Sequence, residues 1–404
     1  MNAKTTLRRY SGADTPIIPS EEDEKIESVI GFDALFGSML KCKKGVIWKG
    51  STASFYLNGI VRTLNLCDDL KEGTYKPGKP VKFTITHPKK RDIVSIGFRD
   101  RVYQRSLNDN YIYPEVVKHL IPENAACQKG KGTDYARNLM IRDLREMYKE
   151  FGTNFWILQC DIRGYYPNMP HEVAEETFRA MLPDKRILDM ALRVLSGQYS
   201  GDKGYNPGSQ MVQIVGISAL HDIDVFIKEE TGARHYIRYM DDFILIHESA
   251  EHLRKCQEAL AEMLKNKGFE LHEKKTRIYP AAKGIRFLGF DFRVTETGKV
   301  LMIRKPEAVK SERRKLRKLV NLAREGKIPV SKVYEHYKVW RSCADKGNNH
   351  RMVMRMDQYF KDLMEGKNDD GNVKESARCE KSGETVCQSG RGSEINPRDG
   401  KPDR

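Results

Sequence analysis

The sequence has 404 residues, of which 39% are hydrophobic and 9% aromatic, so it can build a sizeable core in two or three packed units and is not disordered throughout. It contains no run of eighteen apolar residues and no apolar leader, so we expect a cytoplasmic protein that does not contact a membrane. Its 71 Lys and Arg against 56 Asp and Glu give a net charge of +15, which favours a polyanionic partner such as nucleic acid.

The eight cysteines are scattered, and none forms a CxxC pair. This spacing argues against a zinc ribbon and against a disulfide scaffold. We expect reduced thiols that are buried or incidental.

The first third of the chain alternates in character. Residues 1–30 read as a polar lead-in, and residues 31–125 as short apolar runs separated by basic turns. Within them, Val81–Thr86 alternates like a half-buried strand, "HPKK" reads as a turn and "RDIVSI" as the returning strand, which predicts a hairpin with a basic tip. The apolar spacing in residues 134–151 predicts a helix.

The middle of the chain mixes strands and helices. Phe155–Cys160 reads as a buried strand with Asp161 at its end, and residues 171–199 have helical periodicity. After the loop "SGDKGYNPGSQ", residues 211–229 read as one long apolar helix. The stretch "HYIRYMDDFILIHE" then predicts a β-hairpin with "DD" as its turn.

The last part begins with an amphipathic helix, "SAEHLRKCQEALAEMLKNKGF", which is capped by Gly268. "IRFLGFDFRV" predicts a further strand or hairpin, and residues 305–361 read as strongly basic helices. Beyond Gly366 the sequence is polar and has no periodicity, so we expect disorder there.

Three carboxylates stand where apolar strands end. Asp161 precedes the adjacent pair Asp241 and Asp242 by 80 positions (241 − 161), and an intervening helix and hairpin can bring all three together on one antiparallel sheet. Crowded carboxylates need cations, and an oxygen-rich site of this kind suits Mg²⁺. Two such ions can support an in-line displacement at phosphorus. Asp is also common in ordinary turns, which is the alternative for the pair.

The order of several motifs resembles that of reverse transcriptases. "YMDD" (239–242) is similar to their Tyr-x-Asp-Asp signature, and "CDIRGYYPNMPHE" to their first palm motif. "KKRDIVSIGFRDRVYQRSL" and "ACQKGKGTDYA" resemble segments of the fingers. "GFELHEKKTRIY" resembles the Leu-Asn-x-x-Lys-Thr element, and "FLGF" (287–290) the primer-grip hairpin. The resemblance covers roughly residues 40–360.

The resemblance implies a role for each matching residue. The metal ligands are Asp161, Asp241, Asp242 and the carbonyl of Ile162, and Lys275 protonates the departing pyrophosphate. Residues implied to bind the deoxynucleoside triphosphate are Lys90, Arg91, Ile162, Tyr166, Gly208 and Gln213, with Tyr166 excluding a 2′-hydroxyl. Residues implied to contact nucleic acid are Lys129, Lys131, Tyr239, Met240, Leu288, Gly289, Arg313, Arg314 and Arg317.

The resemblance also implies an α+β right-hand polymerase fold with an antiparallel palm sheet and a helical thumb. Its expected parts are a lead-in (1–30), fingers (31–153), a palm with finger or helical insertions (154–300), a basic thumb (301–365) and a disordered tail (366–404). The expected reaction is DNA synthesis on an RNA template, with two Mg²⁺ ions, replaceable by Mn²⁺. The expected partners are an RNA template, a DNA or RNA primer and deoxynucleoside triphosphates, and a small accessory protein or self-association stays open.

One loop departs from the family pattern. Where the family has Pro-Gln-Gly followed by Ser-Pro, this chain has "NPGSQMVQ", with Gly208 kept, Pro207 at the Gln position and Val212-Gln213 in place of Ser-Pro. A Gln in place of the Pro, as at Gln213, is typical of the reverse transcriptases of diversity-generating retroelements and of some phage-defence relatives. We therefore expect a retroelement enzyme, with phage defence as the alternative.

Two alternative functions belong to other classes of protein. Nucleotide cyclases also place adjacent carboxylates on such a sheet, but with Gly-Gly before the pair, where this chain has Tyr239-Met240. An RNA-binding scaffold with an inactive palm is the other rival, and the retention of all three carboxylates argues against it.

Overall fold

A computed structural model describes residues 20–86, 91–206 and 208–367, with Arg91 described by its backbone alone. The other residues lie outside the described part. They include Lys90, Pro207, Cys379, Cys387 and nearly all of the tail predicted to be disordered.

The N-terminal part is more helical than the sequence pattern predicts. Four helices occupy it: α1 (Glu21–Ile30), α2 (Phe32–Cys42), α3 (Gly50–Leu57) and α4 (Gly59–Lys71). Ser20 and Asp23 form a capping box that starts α1, and the end of α1 is buried. The residues from Ser20 to Ile30 are therefore part of the packed protein rather than a polar lead-in. In α2, Leu35, Met39 and Cys42 are buried at helical spacing.

The expected basic hairpin is present. Strands β1 (Val81–Ile85) and β2 (Arg91–Ser95) pair antiparallel, with Ile85 opposite Arg91 and the tip outside the described residues. Every residue of β1 is exposed, so the prediction of a half-buried strand is wrong. Its apolar residues Val81, Phe83 and Ile85 are 65%, 49% and 37% exposed, so the alternation of the sequence does not correspond to a buried face.

A nearly continuous helical segment follows the hairpin. It consists of α5 (Phe98–Leu107), a π-helical turn (Asn108–Ile112) and α6 (Tyr113–Val117). Helix α7 (Thr133–Phe151) then confirms the helix predicted over 134–151 and buries Leu139, Leu144 and Met147.

A four-stranded antiparallel sheet, the palm sheet, lies at the centre of the molecule. Its strands are β3 (Trp156–Asp161), β4 (His235–Tyr239), β5 (Asp242–His247) and β6 (Arg277–Pro280), in the order β4-β5-β3-β6. Alternate residues face two different cores, as the two-residue period of a strand requires. In β5, Ile244 and Ile246 pack with α7, whereas Phe243 and Leu245 face the larger core.

Helices connect the strands of the palm sheet. They are α8 (Tyr165–Asn168), α9 (His171–Met181), α10 (Lys185–Ser196), α11 (Gln210–Ser218), α12 (His221–Glu229) and α13 (Ala250–Asn266). The single helix predicted over 211–229 is two helices, because the chain turns at Ala219 and Leu220. Among the described residues, Gln210–Glu229 alone is long and apolar enough to span a membrane, and 67% of its most apolar window is buried within the protein.

Two further units complete the described chain. Strands β7 (Ile285–Phe287), β8 (Phe290–Val294) and β9 (Val300–Arg304) form a three-stranded sheet that crosses the expected palm–thumb boundary. Three helices follow, α14 (Pro306–Arg324), α15 (Val330–Ala344) and α16 (His350–Met364), with a hydrophobic core of their own. Helices and antiparallel sheets together confirm the predicted α+β class.

Candidate active site

The three predicted carboxylates meet at one end of the palm sheet. Asp161, the last residue of β3, lies directly opposite Asp242, the first residue of β5. The hairpin turn consists of Met240 and Asp241, since Tyr239 pairs with Asp242. The expectation that both aspartates form the turn is therefore wrong for Asp242, whose backbone belongs to the strand. The amide of Ile162 donates to the carbonyl of Asp241 at 3.3 Å, which joins the two chain segments.

Burial and mutual repulsion set the electrostatics of this cluster. The pKa of Asp241 is raised above its ordinary value by burial and by the charge of Asp161. Burial, followed by the charges of Asp241 and Asp161, raises the pKa of Asp242 to about 7. Three carboxylates in this arrangement favour bound cations, and an all-oxygen donor set fits Mg²⁺.

Lys275 supplies one positive charge to the cluster. Its ammonium group donates to both carboxylate oxygens of Asp161, at 2.8 and 2.9 Å. A backbone hydrogen bond of 2.7 Å from the amide of His272 to the carbonyl of Asp161 holds this segment beside β3. The structure therefore brings Lys275 to the carboxylates and gives its exposed neighbour, Lys274, no such contact among the described residues.

The two adjacent tyrosines have different surroundings. Tyr165 is buried, and its hydroxyl donates to the carbonyl of Gly216 in α11 at 2.9 Å. Tyr166 is half-buried, and its hydroxyl lies 3.6 Å from the sulfur of Met240. A Cβ atom at Gly216 would lie 2.9 Å from the ring of Tyr166, so only glycine leaves room for this ring. Tyr165 is the packing residue, and Tyr166 lies at the turn formed by Met240 and Asp241.

A buried ion pair that the sequence reasoning missed supports the same turn. Arg238 and Asp224 are both fully buried and are joined by two hydrogen bonds of 2.6 and 2.5 Å. The guanidinium group also donates to the carbonyl of Met240 at 3.1 Å and to that of Ile217 at 2.8 Å. The hydroxyl of Tyr236 donates to Asp224 at 2.7 Å. The position of Arg238 within the apolar run of β4 could have indicated this pair from the sequence, because a buried charge requires a partner of opposite charge.

The loop with the unusual sequence opens onto a cleft. Gly208 has φ +117°, a conformation that favours glycine, and the side chain of Gln213 is exposed. Both residues line a cleft of about 360 Å³ that β2 also borders. Arg91 begins β2, but its side chain and Lys90 lie outside what is described, so their contact with a triphosphate stays a prediction.

The two lysines of the fingers loop differ in their contacts. Lys129 is exposed, and its ammonium group lies 5.1 Å from the centre of the Tyr113 ring. The ammonium group of Lys131 donates to the carbonyls of Asn124 and Ile121 at 3.1 and 3.3 Å, and burial lowers its pKa. Lys131 therefore holds the loop in shape, and its contact with nucleic acid stays a prediction.

The predicted primer-grip turn lies between β7 and β8. Leu288 and Gly289 both have positive φ angles, of 43° and 86°. Arg137 of α7, which the sequence reasoning also missed, donates to the carbonyl of Leu288 at 2.7 Å and stacks over the ring of Phe290. This contact fixes the turn against the side of the palm sheet that α7 covers. The contacts of Tyr239 and Met240 with nucleic acid stay predictions.

The basic helix α14 presents its predicted arginines unequally. Arg314 and Arg317 are exposed, as a contact with nucleic acid requires. Arg313 is half-buried, lies over the ring of Tyr359 at 4.9 Å and donates to the sulfur of Met356. Its role as a nucleic-acid contact stays a prediction, whereas its packing within the helical unit is observed.

Known proteins with similar sequences or structures include a group II intron-encoded protein and telomerases. The chain is 21% identical to the group II intron-encoded protein LtrA of Lactococcus lactis subsp. cremoris, over 58% of this chain and 50% of LtrA. Solved telomerase structures from Candida albicans and Candida tropicalis are each 13% identical, with TM-scores of 0.44 and 0.41. The match to the Candida albicans structure covers 72% of this chain and 55% of that one. The match to the Candida tropicalis structure covers 58% of each chain. The chain thus spans about half the length of LtrA.

A family model extends over the elements that form the site. The model described as "Reverse transcriptase (RNA-dependent DNA polymerase)" matches residues 87–292, which is just over half of the chain and includes Asp161, Asp241, Asp242 and Lys275. The match confirms the right-hand fold that the motif order predicts. The chain belongs to the reverse transcriptase (RNA-dependent DNA polymerase) family.

Proposed function

We propose that this protein synthesises DNA on an RNA template. The observation that carries the proposal is the meeting of Asp161, Asp241 and Asp242 at one end of the palm sheet, with Lys275 bonded to the first of them. The primer 3′-hydroxyl attacks the α-phosphate of a deoxynucleoside triphosphate. A bond forms between the 3′-oxygen and phosphorus, and the bond to pyrophosphate breaks.

The carboxylates and the carbonyl of Ile162 are the proposed metal ligands. Two Mg²⁺ ions, or Mn²⁺ in their place, would lower the pKa of the attacking hydroxyl and stabilise the leaving oxygen. Lys275, whose ammonium group donates to Asp161, is the proposed proton donor to the departing pyrophosphate. Tyr166, held against Gly216, is the proposed surface beneath the sugar of the incoming nucleotide.

The proposed partners are an RNA template and a DNA or RNA primer in the cytoplasm. The net charge of +15 and the exposed Arg314 and Arg317 support a polyanionic partner. The burial of Gln210–Glu229 in the core favours its role as structural helices over that of a membrane anchor. An accessory protein or self-association is compatible with this proposal but is not required by it.

Within the family, we favour an enzyme of a diversity-generating retroelement. The loop at Gly208 and Gln213, with its altered sequence, supports this branch and equally a phage-defence relative. A template repeat and a variable repeat beside the gene would favour the retroelement. Their absence, together with protection of cells from phage, would favour defence.

The test is primer extension on an RNA template with deoxynucleoside triphosphates and Mg²⁺. The double variant Asp241→Asn/Asp242→Asn should lose at least about 10³-fold in rate while RNA binding survives. The control Asp222→Asn alters an exposed carboxylate of the same region, which pairs with Lys267. Extension by the double variant at the wild-type rate would refute the assignment. RNA binding without extension by the wild type would favour the inactive scaffold.

A further inference from the structure

A second group of metal-ligating side chains lies away from the active site, between α7 and the edge strand β4. Asp143 and Glu146 are one turn apart on α7, and His235 is the first residue of β4. One ligand atom from each of the three lies within 4.8 Å of the others. Four steps along β4 separate His235 from Tyr239, which precedes the turn of Met240 and Asp241, a distance of about 14 Å at 3.4 Å per residue.

His235 and Asp143 lack the hydrogen bonds that buried polar groups normally make. The side chain of Asp143 is fully buried and that of His235 is 7% exposed. Neither ring nitrogen of His235 has a hydrogen-bond partner among the described residues, and nor does Oδ2 of Asp143. Buried polar atoms without partners are rare, and an unrecorded ion is one of their recognised causes.

The separations are too long for hydrogen bonds but suit ligands of one ion. Nδ1 of His235 lies 3.5 Å from Oδ1 of Asp143 and 3.8 Å from Oε2 of Glu146. Two ligand atoms that are each about 2.0–2.1 Å from a tetrahedral Zn²⁺ are about 3.4 Å apart. The two measured separations therefore lie within about 0.5 Å of the spacing expected between ligands of one ion.

The neighbouring charges leave this position open. Arg142 donates at 2.9 Å to Oδ1 of Asp143, the same oxygen that lies 3.5 Å from Nδ1 of His235, so the oxygen available to an ion is Oδ2, which has no partner among the described residues. The nearby Arg234 pairs with Glu150 at 2.8 Å rather than with Glu146. The side chain of Glu146 is 48% exposed, which gives an ion a route of entry and a fourth position for water.

We propose that Asp143, Glu146 and His235 bind a divalent cation of the Zn²⁺ class. One imidazole nitrogen with two carboxylates suits Zn²⁺ or Co²⁺ better than Mg²⁺, which prefers oxygen ligands. The ion would join α7 to the strand whose other end leads into the turn of Met240 and Asp241. Its role is structural, and it is separate from the ions proposed for synthesis.

The test uses the full chain, freed of metal by a chelator, in the background Asp241→Asn/Asp242→Asn and in excess Mg²⁺. Zn²⁺ affinity is measured by competition with a chromophoric chelator, and Co²⁺ binding by its visible absorption. We expect one saturable site with absorption typical of nitrogen and oxygen ligands. Glu146→Gln should weaken Zn²⁺ binding at least about tenfold, since even outer-shell partners have effects of that size.

Two further variants complete the design. His235→Asn should abolish the site, and Asp222→Asn, which removes an exposed carboxylate that pairs with Lys267, should leave Zn²⁺ affinity unchanged within about twofold. If His235→Asn fails to fold, the half-exposed Glu146→Gln decides alone. A wild-type protein with no saturable site, or Zn²⁺ affinity insensitive to Glu146→Gln, would overturn the proposal and leave the cluster as a histidine held between two carboxylates.

Discussion

Replacing Arg238 by methionine tests whether the buried ion pair supports the active site. The change leaves Asp224 fully buried with the hydroxyl of Tyr236 as its remaining donor, and it removes the donor to the carbonyl of Met240. Removal of one partner from a buried ion pair costs about 3–5 kcal/mol, because the other charge stays buried without compensation. We expect Arg238→Met to lower the free energy of unfolding by that amount.

A second variant separates stability from positioning. In Arg238→Met/Asp224→Leu both charges are absent, and such replacements of a buried pair are often neutral or stabilising. The double variant should therefore recover most of the lost stability. It should not recover the rate of primer extension, since the carbonyls of Met240 and Ile217 still lack the guanidinium donor.

The assay is urea unfolding followed by fluorescence and circular dichroism, combined with single-turnover primer extension at a temperature where every variant is folded. Asp222→Asn serves as the control, because it removes an exposed charge from α12, the helix that carries Asp224. The reasoning is refuted if Arg238→Met loses less than about 1 kcal/mol, which is the scale of an ordinary exposed pair. It is also refuted if the double variant extends primers at the wild-type rate.

Three further outcomes follow from the site. Tyr166→Ala should relax discrimination against ribonucleotides by up to about 10²-fold, measured as the ratio of dNTP to rNTP incorporation, and an unchanged ratio would remove Tyr166 from the sugar pocket. Gly216→Ala should displace the Tyr166 ring and slow extension by about 10²-fold with little change in primer–template binding; wild-type kinetics would contradict this. The folded pKa of Asp242, about 7, exceeds its ordinary value of 3.8, so between these pH values the folded state binds the extra proton and stability falls as pH rises. In metal-free buffer Asp242→Asn should therefore melt at a higher temperature than wild type at pH 8, with the difference shrinking towards pH 4, and equal melting temperatures at pH 8 would count against the raised pKa.

The sequence predicted the strands and helices whose pattern is strong and local. The hairpin around Asp241, the helix over 134–151 and the strand ending at Asp161 were all predictable, because their apolar residues recur with the period of the element. The motif order predicted that Lys275 belongs to the site but not its hydrogen bonds to Asp161, a contact between residues far apart in sequence.

Other features depend on tertiary packing that a local pattern does not contain. The strand β1 alternates like a half-buried strand, yet every residue of it is exposed, which its sequence alone does not show. The register that places Asp242 in the strand rather than in the turn is fixed by pairing with Asp161 and Tyr239. The partner of Arg238 lies fourteen residues away on α12, where Asp224 has no special sequence context.

In the ion pair between Lys275 and Asp161, the ammonium group binds the same carboxylate oxygens that the proposed metal ions would need. Before any ion binds, the ammonium group already neutralises the carboxylate that the ion needs. An ion that takes these oxygens would compete with the ammonium group, and release of that group would free the proposed proton donor to pyrophosphate. Occupancy of the metal site and readiness of the proton donor would thus be gained in a single exchange of partners.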